Sequence, residues 1–139
     1  MPPNNSQEIW EEYYRNKKSQ RLEEANKLCE QLKDAGVTEE TVLALDFVHF
    51  SKSHENAQSL AEQLSENYTI DIVAGEEEVW YINGTSRPYG LTLSSEQHLS
   101  WVEFMADVAQ SHSCVFSTWS LEASSLKLKL SSESIESVS

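Results

Sequence analysis

With 139 residues, 39% of them apolar and 24% charged, the chain can bury one substantial core and hardly two, which excludes a wholly disordered protein and makes one domain with tails the expectation. The net charge of −13 sits in the middle of the chain: from Leu28 to Ser124 only Lys33, Lys52 and Arg87 stand against sixteen Asp and Glu, while the flanks balance at seven of each sign. A folded body with so one-sided a field repels nucleic acid and acidic membrane surfaces and attracts basic partners.

No stretch approaches the ~20 apolar residues of a membrane span, and Met1 to Ser6 carry neither the basic start nor the apolar run of a signal peptide, so the cytoplasm is the expected compartment. Cys29 and Cys114 belong to no Cys-x-x-Cys or metal-spaced pair and are expected to be reduced core thiols.

From about Ser6 to Ala35 there is no Pro or Gly, and Leu22, Ala25, Leu28, Cys29 and Leu32 recur at helical spacing before Gly36 supplies a stop. Residues 1–36 are therefore read as a long amphipathic N-terminal helix. In its first half Ile9, Trp10, Tyr13 and Tyr14 form an aromatic cluster beside Arg15, Lys17, Lys18 and Arg21. That pattern fits either packing with a solvated charged face or an interaction arm.

Thr41 to Phe50 is β-branched and aromatic and too short for a helix, which predicts a buried strand interrupted by Asp46 and His49. Ser53 can cap a helix to about Glu66, with Ala57, Leu60, Ala61 and Leu64 on one face. Tyr68 to Val73 alternates as a strand, and Val79 to Ile82 resumes the extended pattern, so a single long strand kinked near Gly75 is expected. Asn83-Gly84-Thr85 is a hairpin signal, with Arg87 to Leu93 as the return strand and Pro88 at its start or edge.

Ser94-Ser95-Glu96-Gln97 matches a capping box opening a helix whose buried face holds Trp101, Val102, Met105, Val108 and Ala109 and which ends near His112. Cys114 to Leu121 is the last strand, followed from residue 124 to 139 by a Ser-rich tail in which Leu126 to Leu130 alternates as an optional edge strand. Residues 41–123 then read β-α-β-β-α-β. With right-handed crossovers this predicts an α+β, ferredoxin-like sandwich, a four-stranded antiparallel sheet with two helices on one face, preceded by the long helix.

Three segments in this order, LEEANKLCEQLKDAG, ALDFVHFSKSHENAQSLAEQLSENYTIDI and MADVAQSHSCVFSTWSLEA, carry a likeness to a known family. Over about Gln7 to Ala123 the chain resembles the RraB family, regulators that inhibit ribonuclease E by protein contact. The family's Trp in the last strand falls on Trp119, and its polar positions in the first strand fall on Asp46 and His49. Ser117-Thr118 and Ser120 replace the Asp-Gly and Gly that commonly flank that Trp. The resemblance implies a non-enzymatic partner-binding role, the partner being the Arg-rich C-terminal scaffold of ribonuclease E and the consequence slower turnover of some transcripts.

The residues themselves offer little chemistry for catalysis. There is no nucleophile elbow, phosphate-cradling glycine loop or His-Glu-x-x-His helix. His49 and His54 with Asp46 or Glu55 could meet a metal, but isolated histidines near strand ends are usually satisfied polar groups, and no catalytic residue, cofactor or metal is expected. Adjacent strand residues face opposite ways, so His112 and Cys114 are not read as a nucleophile pair.

Glu76, Glu77 and Glu78 match no calcium loop; they are read as a solvated turn or an acidic knob facing a partner. Asp71, Trp80 and Tyr81 flank them, and aromatic residues beside charge are what interface centres use. Since Trp80 and Tyr81 must point to opposite faces, only one can be core. The expected partner-binding set is Asp71, Glu76, Glu77, Glu78, Trp80 and Trp119. Two other classes remain: a nucleic-acid mimic, which needs regularly spaced acids on one face, and a small-molecule sensor, which needs a pocket lined by His49, Trp80 and Trp119.

Overall fold

The computed structural model describes residues 5–87 and 90–132. Helix α1 spans Asn5–Asp34 and stops where Gly36 takes φ +94°. There the Val37 N–H donates to Leu32 O and the Gly36 N–H to Lys33 O, a Schellman ending that only a residue without Cβ adopts freely.

The remaining elements are β1 (Ala44–Ser51), α2 (His54–Leu64), β2 (Thr69–Ala74), β3 (Trp80–Thr85), α3 (Ser95–Ser111), β4 (Val115–Ala123) and, after a single 3-10 turn, β5 (Leu128–Ser131). Ser53 caps α2 by accepting from the Asn56 N–H, and Ser94 and Gln97 close the expected capping box on α3.

The protein is α+β: a five-stranded antiparallel sheet in the order β2-β3-β1-β4-β5, with three helices. The expectation of four strands is corrected by β5, whose Leu128 and Leu130 pair with Ala123 and Leu121. Residues 128–131, read as an optional edge strand within a tail, thus extend the sheet, because the alternation there gives Leu128 and Leu130 a shared face to pack on the core. The tail from residue 133 lies outside the described residues. The long helix expected ahead of the domain is present and joins it, as α1 runs along α3 and adds Ala25, Leu28 and Leu32 to the core.

The hairpin also differs from expectation. Its turn is Gly75–Val79, where the Gly75 N–H donates to Val79 O, while Asn83 and Gly84 lie inside β3. Gly84 is required for space and not for a turn: a Cβ there would meet the ring of Phe47 and the tip of Ile70. The expected return strand shrinks to one bridge, Leu43 to Leu91, and Pro88 lies outside the described residues.

Strand β1 alternates strictly, with Leu45, Phe47, His49 and Ser51 buried. Opposite it, β4 carries a bulge: Val48 and His49 face Thr118 and Phe116, leaving Ser117 over. The extra residue turns both Phe116 and Trp119 toward the helices, where their rings stack at 5.3 Å. Arg21 fastens α1 beside this bulge, its Nε donating to Phe116 O at 3.1 Å and its Nη1 to Glu24 at 2.7 Å.

Candidate functional site

The helices cover one face of the sheet, and among the described residues no helix packs on the other. Register places three rows across that open face. Val73, Tyr81, Phe50 and Val115 form an apolar row at the end nearest the β2–β3 turn. Asp71, Asn83, Val48 and Thr118 form the next, followed by Thr69, Thr85, Asp46, Ser120 and Ser131. The two polar rows line a shallow concavity of about 610 Å³.

The acidic turn closes one end of this face. Glu76, Glu77 and Glu78 are all exposed, and Glu77 and Glu78 take φ of 56° and 62°. Two successive non-glycine residues in the left-handed region cost on the order of 1 kcal/mol each. The reward in geometry is a tight turn that holds three carboxylates away from the body. Further along the face Asp46 accepts from Thr85 at 2.5 Å and, with Glu122, holds the Arg87 guanidinium. The hydrogen bond to Glu122, then Asp46, raises the Arg87 pKa above its ordinary value. Arg87 thereby offsets one of the two charges of Asp46 and Glu122 from within the chain.

Of the six residues expected to meet a partner, Asp71, Glu76, Glu77 and Glu78 share the exposed side of the β2–β3 hairpin. Trp80 and Tyr81 part to opposite faces, and it is Tyr81, 40% exposed beside Val73, that stands next to the acidic turn. Trp80 turns to the helix side, half-buried against His54 at 4.3 Å. Trp119 is buried: 1% exposed, its ring lies among Phe116, Trp101 and His98, so its place in the docking set is withdrawn. His49 is equally sealed, 0% exposed, and the pocket a sensor would need from His49, Trp80 and Trp119 is filled by the molecule's own packing.

A pair that sequence reasoning missed lies on the helix side. Cys29 Sγ is 3.2 Å from His98 Nδ1, and Trp119 Nε1 is 3.0 Å from His98 Nε2. The indole N–H can only donate, so Nε2 is the acceptor and the neutral ring carries its proton on Nδ1, directed at the sulfur. Held in that tautomer, His98 cannot take the thiol proton, as a base for a cysteine nucleophile must. Burial pushes His98 down to about 4 and the Cys29 thiol up, so both are neutral near pH 7. Sixty-nine residues separate the two, so no local pattern announces them. Burial alone also lowers His49 to about 3.

Among the described residues no three of His, Cys, Asp or Glu are grouped to hold a metal ion, and no helix is long and apolar enough to cross a membrane. What fold and surface define is an acidic α+β protein with one sheet face open and a carboxylate-bearing turn at its end. No family model matches the chain, and no curated protein matches it.

Proposed function

We propose that this protein acts by binding and not by catalysis, as a cytoplasmic regulator that docks its acidic body on a basic protein segment. Following the resemblance to the RraB family, that segment is the C-terminal scaffold of ribonuclease E, and docking modulates RNA turnover. The β1-α2-β2-β3-α3-β4 run is read as a ferredoxin-like unit, supported by the strand order β2-β3-β1-β4, with α1 and β5 as additions.

The observation that carries the reading is the placement of charge: the whole −13 belongs to residues 28–124, and three of its carboxylates stand on a turn beside exposed Tyr81 and Val73. Such a surface competes with RNA for Arg-rich segments and speeds encounter by steering. The locked tautomer of His98 argues the same way, since the one close thiol–imidazole pair described is not poised for proton transfer.

The test is titration of the full chain into the isolated scaffold of ribonuclease E at low and physiological salt, with the catalytic half as control. Saturable binding to the scaffold that weakens with salt is expected. Binding indifferent to salt, or none to either half at micromolar concentration, refutes the proposal.

A further inference from the structure

The apolar row of the open face does not end at Val115. It runs into a groove of about 730 Å³ whose floor includes Phe50 and Val115 and whose far wall is the start of α1, with Ile9, Trp10, Tyr13 and Tyr14. Residues 8–12 are exposed, and Ile9 and Trp10 keep 65% and 58% of their surface in water. Three rings order one another, Trp10 to Tyr13 at 5.6 Å and Tyr13 to Tyr14 at 5.7 Å, with Lys17 over Tyr13 at 5.6 Å.

A helical stretch that packs so little is marginal in water, and an exposed Trp beside a groove is the usual anchor of an interface. The carboxylates of Glu76 to Glu78 stand beyond Tyr81 at one end of the strip, while the charged side chains at the groove itself are Lys52 in its wall and Lys17 over Tyr13. A second copy would bring another −13 into this field and be repelled.

We infer that the groove between the first turns of α1 and the Phe50 row seats an amphipathic basic segment of a partner protein. Aliphatic or aromatic side chains of that segment enter between Trp10 and Phe50, and its Lys or Arg residues extend along the Tyr81 row to meet the carboxylates of Glu76 to Glu78 on the turn. The inference rests on the basic-partner reading and adds to it a place and a second chemical requirement.

Two synthetic peptides with the same arginines test it by calorimetry against the full chain, one with Leu and one with Ser between the arginines. The Leu peptide is expected to bind at least tenfold tighter, about 1.4 kcal/mol, and Trp10→Ala and Ile9→Ser to remove most of that advantage while leaving the Ser peptide unaffected. Both side chains are exposed, so the variants keep the fold. Equal binding of the two peptides, or an advantage that survives both substitutions, overturns the groove and leaves the charge reading standing. Failure of both peptides to bind overturns the two together. A dimer in sedimentation that Trp10→Ala dissociates assigns the groove to a second copy and also overturns the inference.

Discussion

His49 is buried with its polar atoms unpaired, and replacing it should stabilise the protein. It is 0% exposed, wedged between Phe47 at 5.6 Å and Phe116 at 5.0 Å, and among the described residues neither ring nitrogen has a hydrogen-bond partner. A buried polar group left unpaired costs about 1–3 kcal/mol, so His49→Leu, which fills nearly the same volume without polar atoms, should gain about 1–2 kcal/mol at pH 7.

The acid response is larger. The unfolded chain protonates His49 below its ordinary 6.5, whereas in the folded protein the value falls to about 3. Its contribution is therefore intact above pH 6.5 and drains away as pH falls toward 3. At pH 5, 1.5 units below the unfolded value, the loss is about 2 kcal/mol. His98, lowered to about 4, follows the same sign and loses about 2 kcal/mol more at pH 5. Urea unfolding at pH 7 and pH 5 should then show a fall of about 4 kcal/mol in the wild type and about 2 in His49→Leu, with unchanged m. If the variant is less stable at pH 7 and loses as much on acidification as the wild type, the imidazole is solvated in the folded state and the reasoning fails.

Two further substitutions probe how the elements are joined. Gly84→Ala should cost about 1–3 kcal/mol, because the new methyl displaces the Phe47 ring from the centre of the sheet. A thermal melt reads this, and an unchanged midpoint would show that the ring has room to move. Arg21→Ala should cost about 3–5 kcal/mol by leaving Glu24 buried without its cation, and Glu24→Ala on top should recover part of the loss. A double-mutant cycle measures the coupling; strict additivity would mean the pair is solvated.

The elements with strong local signals were legible in the sequence. Gly36, Ser53 and the Ser94–Gln97 box mark helix ends where the structure has them, since capping is local chemistry. Asn83-Gly84 misled because a glycine serves two ends, positive φ or close approach, and only the register against Phe47 decides which. Glu76 to Glu78 read as a solvated turn, but only as a kink within one long strand; that the turn reverses the chain depends on positive φ at Glu77 and Glu78, which Glu does not announce. Likewise nothing local reveals that a bulge at Ser117 swings Trp119 into the core, or that Cys29 meets His98 across two helices. The acidic hairpin was visible as composition; its neighbours Tyr81, Phe50 and Val115 became a surface only through strand pairing.

Two pairs of charge reversals separate the place where the acidic body meets a basic partner from the effect of total charge. Glu76→Lys with Glu77→Lys alters the exposed turn beside Tyr81; Glu39→Lys with Glu40→Lys makes the same change in charge near the opposite end of β1. Affinity for the isolated ribonuclease E scaffold, measured for both at physiological salt, should fall at least tenfold more in the first pair than in the second. Equal losses would contradict the docking face by reducing the interaction to net charge.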